Sequence, residues 1–277
     1  MRDILITVQE EEKRVVFITD NVLDEFYIER ESGEHLVGNI YKGRVSKVAK
    51  AIQAAFVDIG LEKNGFLHVS DVVPEAALSR QMDDEPDLVL PPAEILPKAS
   101  AIQEILKDGQ EILVQVMKGP IGTKGVRLTA NISIPGRHIV LMPNEHMSGI
   151  SRKITDRLER LRLKKMLSES KLPKDTGVIV RTAAMGIAIR ELNRELKFLL
   201  AVWKRIQRRI KITKTPGCVH TELDLVLRTV RDTLNEDIHR VLVDSKAEYK
   251  RMRKFIKIFI PRFKPKLELY NGDVSLF

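Results

Sequence analysis

Residues 176–186 read TGVIVRTAAMG: an apolar run, Val178-Ile179-Val180, leads straight into a guanidinium at Arg181 and a hydroxyl at Thr182. Paired carboxylates at such a place would suggest a metal, and a fan of glycines a nucleotide loop. An arginine beside a hydroxyl suits a small anion, phosphate first, because the guanidinium offers a planar two-point fork and the threonine one neutral donor. An ion pair at a strand end would account for the same residues. A second constellation fills residues 38–72, GNIYKGRVSKVAKAIQAAFVDIGLEKNGFLHVSDV. Alternation there sets Phe56 on one strand, Phe66 and His68 on the next, and Lys42, Arg44 and Lys47 on the strand before them. Aromatic faces flanked by cations on a small five-strand barrel are what an unpaired nucleic acid needs, with bases stacked on rings and lysines along the backbone. A barrel core that owns both phenylalanines is the competing reading.

Charge adds weight to a polyanionic partner. The 277-residue chain carries a net +9, but Arg152 to Lys214 holds 19 basic and 6 acidic residues and Ser245 to Lys266 holds 9 and 1, so the remainder is net −12. Basic side chains that neutralise phosphates release condensed counterions, so charge segregated in this way favours nucleic acid over simple solvation. The single Cys218 excludes an internal disulfide and suits a reducing compartment. With His220 it makes one Cys-x-His pair, too few ligands for a zinc cage. Apolar residues make up 43%, enough for real cores, and no apolar run reaches the length of a bilayer span. The N-terminus carries acids where a signal peptide needs an apolar stretch, so a cytoplasmic protein is expected.

The elements that must position these groups follow from periodicity. ILITVQ, RVVFITD and LDEFYIER read as a three-strand meander, and the glycines at 38, 43, 60 and 65 punctuate a strand-rich segment. Residues 83–100 hold acids and a cluster of prolines, an insertion at a barrel rim that cannot pair in a sheet. EILVQVMKG (111–119) is one more strand, closing the small β domain. RHIVLMP is a strand, followed by a charged helix whose apolar stripe is Leu158, Leu161 and Leu167. After VIVRT comes a long amphipathic helix with Leu192, Leu196, Leu199, Leu200, Trp203, Ile206 and Ile210 on one face. Thr215-Pro216-Gly217 marks a boundary, and helix, strand (239–244), helix and a proline-rich tail complete the chain.

GNIYKGRV, AAFVDIG and GFLHVSD resemble the motifs of an S1 domain, the RNA-binding OB fold. With the lead-in IERESGEHLVG, and with GTKGVRLT, VLMP and VRTAA, the whole chain resembles the ribonuclease E/G family of bacterial RNA-processing endonucleases. The resemblance implies a multi-domain α+β fold. Residues 1–37 and 215–277 would form a discontinuous, structural RNase H-like subdomain. Between its halves would lie an S1 domain at 38–119 and an α/β 5′-sensor domain at 120–214. It implies that Arg181 and Thr182 hold the 5′-monophosphate of single-stranded RNA, completed by Arg152, Gly136 and Val140. Lys124, in a GTKG turn that lacks the spacing of a nucleotide-binding loop, would contact the RNA backbone beside Phe56 and Phe66.

In such a family cleavage depends on Mg²⁺ held by aspartates of a DNase I-like domain, and zinc joins protomers of a homo-oligomer. Both ligand sets are expected outside this chain, so no catalytic residue and no metal site is assigned within it. Asp58, Asp71 and Asp244 read as turn and strand-end residues. The expected function is the RNA-binding, 5′-end-sensing portion of an endoribonuclease of rRNA maturation and mRNA decay, its catalytic domain supplied in cis or in trans. The alternative is a stand-alone RNA-binding module or regulator without cleavage.

Overall fold

The computed structural model describes residues 1–30, 35–72, 101–145, 148–234, 237–259, 266–272, 274 and 276. The proline-rich insertion expected at 83–100 lies outside them. The fold is α+β and divides into two compact units: Met1–His35 with Glu222–Phe277, and Leu36–Thr221. The second unit therefore interrupts the first, and it continues to Thr221, past the boundary that the Thr215-Pro216-Gly217 signal suggested.

The first unit is a mixed sheet with two helices. Strands β1 (Arg2–Val8), β2 (Glu12–Thr19) and β3 (Val22–Arg30) form the expected antiparallel meander. Asp20 and Asn21, at φ 50° and 66°, make the tight turn between β2 and β3. Strand β14 (Ile238–Val243) adds to β1 in parallel and β15 (Lys266–Leu269) adds to β14 in parallel, giving the order β15-β14-β1-β2-β3. Sequence patterning did not anticipate β15, whose LEL core follows a proline-lysine run and gains strand character only from its distant partner. Helices α4 (Leu225–Thr233) and α5 (Lys246–Phe259) bury Val226, Val230, Met252 and Phe255 with Ile4, Ile6, Val15 and Phe17 of the sheet.

The second unit contains a closed barrel and a smaller sheet. The barrel strands are β4 (Ile40–Ala49), β5 (Ala54–Asp58), β6 (Gly65–His68), β7 (Glu111–Lys118) and β8 (Arg127–Thr129), and the pairing of β4 with β7 closes the ring. Sequence patterning ended the barrel at residue 119. Strand β8 lies beyond that limit and is wedged between β6 and β7. β4 is long enough to pair with β5 through its C-terminal half while Gly217–His220 (β13) pairs with its start. A short helix, α1 (Ile102–Ile105), buries Ile102 among Tyr41, Val45, Val57, Leu67 and Leu128 in the barrel core.

The smaller sheet has the order β11-β12-β10-β9, from β9 (Ile134–Pro135), β10 (Ile139–Pro143), β11 (Gly149–Ile150) and β12 (Thr176–Val180). Helix α3 (Ile189–Ile212) lays Leu192, Leu196, Leu199, Trp203 and Ile206 into its core, so Trp203 is a packing residue. Helix α2 (Arg157–Glu169) departs from expectation. Leu163 and Met166 are its buried residues, whereas Leu158 and Leu161 are 76% and 56% exposed. The reason is polar. The inward face carries Glu159, Arg160 and Arg162, which satisfy backbone groups of neighbouring loops that helix or sheet pairing leaves open.

Candidate nucleic-acid interface

On the barrel, period-two alternation separates core from surface. Ala55, Val57, Gly65 and Leu67 point inward and are buried, so Phe56, Phe66 and His68 point outward and are half-buried. Neither phenylalanine belongs to the barrel core. Gly65 is required beside Phe66, because a Cβ there would sit 2.4 Å from Leu128 Cδ1. Phe56 and Phe66 are direct cross-strand partners with ring centroids 6.1 Å apart in an edge-to-face arrangement. The His68 ring stacks on Phe66 at 6.5 Å, and its Nδ1 meets Ser70 Oγ at 2.5 Å. Three adjoining rings, Phe56 and Phe66 in a cross-strand row and His68 two residues along β6, each partly open to solvent, form a surface on which bases can stack.

Register extends the row at both ends. Lys47 of β4 lies opposite Phe56, Arg127 of β8 opposite Phe66, and Lys118 of β7 opposite Arg127. Five adjacent strands thus carry Lys47, Phe56, Phe66, Arg127 and Lys118 side by side. Arg127 is held in place: its Nε and Nη2 donate to Asp71 Oδ2 at 3.3 and 3.0 Å. Asp71 is buried at 3% exposure, and its carbonyl accepts from Ala130 N, Thr129 Oγ1 and Asn131 Nδ2. Sequence reasoning missed Arg127. The alternation Val126-Arg127-Leu128 after the glycine turn could have placed it outward, whereas its anchorage to Asp71, 56 residues away, carries no local signal.

The other expected barrel cations sit further along. Lys42 Nζ and Arg44 Nη2 each lie 3.1 Å from Glu111, across the β4–β7 seam. The Thr215 hydroxyl and then Lys42 keep the Glu111 carboxyl below its ordinary range. Lys124 is exposed in the turn that bridges Ile121 to Lys124. Gly125 holds that turn against the end of the β5–β6 connection, where a Cβ would meet Asn64 O at 2.2 Å.

The smaller sheet brings the second set of residues to one edge. β11 and β12 run parallel, with Ile150 opposite Val180, so Arg152 and Arg181 follow adjacent strand ends at the same end of the sheet. β10 runs the other way, so its start, with His138, lies beside Arg181, and the Arg181 N–H donates to His138 O at 2.8 Å. Arg181 Nη1 donates to Gly136 O at 2.7 Å, just past the end of β9. Thr182 opens a short 3-10 turn, and Val140 pairs with Pro135 and Ile179 behind it. Of the five expected residues, Arg181 is bonded to Gly136, while register places Arg152, Thr182 and Val140 at or near the neighbouring strand ends.

What steadies this edge was not visible in the sequence. Glu195 of α3 accepts from His138 N at 3.0 and 3.2 Å and meets His138 Nδ1 at 2.5 Å. A side chain on Gly136 would occupy that carboxylate's place, since a Cβ would fall 2.1 Å from Glu195 Oε1. Helix α2 supplies the remaining supports. Arg160 Nη1 donates to Ser151 O and Ile154 O, fixing the segment that carries Arg152. Glu159 accepts from Gly186 N at 2.9 Å and Arg162 donates to Ile187 O at 2.7 Å, fixing the segment after Thr182. Arg162, with help from the Gly186 N–H, holds the Glu159 carboxyl down to about 2.

Among the described residues no group of three or more His, Cys, Asp or Glu could hold a metal ion. Asp58 accepts from Gly60 N and Asp244 from Val8 N, both backbone roles. The Cys218 thiol lies 3.3 Å from His220 O. No described helix is long and apolar enough to cross a membrane.

Comparison with known proteins gives two family matches: the S1 RNA binding domain over residues 34–130 and the Ribonuclease E/G family over residues 133–277. The chain is 39% identical to Ribonuclease G of Escherichia coli over 275 residues, 99% of this chain and 54% of that protein. It is 36% identical to Ribonuclease G of Haemophilus influenzae over the same shares, and 36% identical to Ribonuclease E of Buchnera aphidicola, there covering 29% of the relative. The chain spans about half the length of the Ribonuclease G relatives it matches.

Proposed function

The chain belongs to the ribonuclease E/G family and carries its S1 RNA-binding domain; from that premise we propose that it binds single-stranded RNA on the barrel row and reads a 5′-monophosphate at the edge of the smaller sheet. The observation that supports the reading is the placement of Arg181, Thr182 and Arg152 just past adjacent strand ends, with Arg181 oriented by a backbone carbonyl. A guanidinium oriented in advance loses less freedom when it grips phosphate than a mobile one does. A monophosphate suits a socket closed by Gly136 and Val140, and a triphosphate is rejected by its bulk and its excess charge.

In this reading the barrel, through β8, acts as the S1 domain, and the smaller sheet with α2 and α3 acts as a 5′ sensor. The unit of Met1–His35 and Glu222–Phe277 forms an RNase H-like, structural subdomain. A meander followed by two parallel strands, in the order β3-β2-β1-β14-β15, supports that last assignment. Cleavage is assigned to Mg²⁺ chemistry of a domain supplied elsewhere. No cleavage step is derived from these residues; their part is to bind and orient RNA in the cytoplasm for an endonuclease site supplied in cis or in trans, within a homo-oligomer.

The test compares the affinity of one RNA bearing a 5′-monophosphate or a 5′-hydroxyl for the wild type and for Arg181→Ala. A tighter grip on the monophosphate that disappears in the variant, while affinity for the hydroxyl form stays constant, is the expected result. A preference that survives the substitution refutes the pocket.

A further inference from the structure

Helix α3 has a second face that the barrel and the 5′ pocket do not use. Its 24 residues carry eight cations and two acids. Arg190, Arg194, Lys197, Lys204, Arg205 and Arg208 fall within about 100° of arc around the helix axis, which places them on one stripe interrupted at Ala201. All six are exposed, and the stripe runs about 27 Å at 1.5 Å of rise per residue. The two acids lie off it: Glu191 Oε2 accepts from the Ala188 N–H and Glu195 holds His138. Among the described residues none of the six cations is paired with a carboxylate, whereas Arg162, Arg231, Arg240 and Arg251 each have one. Like charges at these spacings repel and weaken a helix. A stripe held at that cost, without a single compensating acid, is complementary to a chain of phosphates.

Its position links the two parts of the candidate interface. Near its start, Glu195 fixes the His138 segment beside Arg181. Near its end, Trp203 and Ile206 share a core with Val219 of β13 and Ile40 of β4, the strand that carries Lys47. We infer that the exposed stripe of α3 is a track for the phosphate backbone of single-stranded RNA, running along the helix between the 5′-end pocket and the barrel. This rests on the reading of the pocket given above but adds a contact surface independent of both base stacking and the terminal phosphate. Along the axis the cations form two groups, Arg190, Arg194 and Lys197 and then Lys204, Arg205 and Arg208, about 10 Å apart, so an extended strand meets one group toward each end of the helix.

The test uses the full chain and a variant carrying Arg194→Gln, Lys197→Gln, Lys204→Gln and Arg208→Gln. Glutamine keeps helix propensity, and circular dichroism confirms the fold. Binding of 5′-monophosphorylated and 5′-hydroxyl RNAs of about five and about twenty nucleotides is followed by fluorescence anisotropy across a salt series. With the long RNA, the slope of log K against log salt should become shallower by about 0.7 per lost phosphate contact, hence by about 2 to 3. The short RNA and the ratio between the two 5′ ends should change little. An unchanged slope overturns the track. So does a variant that loses binding only to polyglutamate, which would make the stripe a surface for an acidic protein. A wild type indifferent to the 5′ end, but with the slope lost in the variant, defeats the pocket and leaves the track standing. Should the fourfold variant unfold, Lys197→Gln with Lys204→Gln is expected to give half the slope change.

Discussion

Gly136→Ala is the most demanding perturbation of the 5′-end pocket, because it adds one methyl group and touches no cation. The new Cβ would lie 2.1 Å from Glu195 Oε1 and 2.9 Å from the Ile139 carbonyl. Ordinary contact begins near 3.4 Å, so the carboxylate must retreat by about 1.3 Å, since the strand carbonyl is the less mobile of the two. That retreat breaks the bonds it accepts from His138 N, at 3.0 and 3.2 Å, and separates it from the imidazole. Hydrogen bonds to a charged group contribute about 1.5–3 kcal/mol each. Some of this returns as the released carboxylate finds water, and a net cost of about 2–4 kcal/mol is expected. For a chain of this size each kcal/mol lowers Tm by about 2–4 °C.

Because the displaced segment also carries the carbonyl that orients Arg181, the monophosphate preference should fall while affinity for 5′-hydroxyl RNA holds. The assay is thermal melting together with paired RNA affinities, run as a double-mutant cycle with Glu195→Ala, which removes the clashing oxygen. In the Glu195→Ala background the alanine at 136 should cost less than in the wild type, what remains coming from its 2.9 Å approach to the Ile139 carbonyl. A Gly136→Ala protein that melts like the wild type and keeps its end preference would refute the claim that Glu195 and Gly136 are packed as a unit.

Phe56→Ala and Phe66→Ala should each weaken single-stranded RNA binding by about 1–3 kcal/mol, regardless of the 5′ end. Unaltered affinity in variants that melt normally would refute the stacking role. Glu159 has a folded pKa of about 2 against an ordinary 4.5, so its stabilising contribution is present above the ordinary value and lost as pH falls toward 2. Glu159→Gln should therefore lower Tm at neutral pH and flatten the fall in Tm between about pH 5 and pH 2. An acid limb as steep in the variant as in the wild type would show that other carboxylates control it.

Much of this protein is legible without coordinates, and the particulars show why. The meander, the strand VIVRT and the buried face of α3 are written in local periodicity, because a half-buried strand or helix must alternate whatever surrounds it. Local periodicity misled at α2. Leu158 and Leu161 have core spacing yet face solvent, because Arg160 and Arg162 were needed inward to satisfy loop carbonyls. β15 was missed for the opposite reason, its pairing with β14 being long-range and its own sequence weakly patterned.

The candidate site divides along the same line. Residue types gave the chemistry: rings for bases, a guanidinium and a hydroxyl for phosphate, and a basic segment for a polyanion. Motifs gave the family. Tertiary structure alone decided that Arg127 lies in register with Phe66 and is anchored on buried Asp71. It also decided that Lys42 and Arg44 lean on Glu111, and that Glu195 occupies the space left by the missing side chain of Gly136. The physical reason is range. Alternation and propensity act over a few residues and are inscribed in the sequence itself, whereas an ion pair across 56 positions, or a methyl-sized vacancy filled by another helix, exists only once the chain has closed on itself.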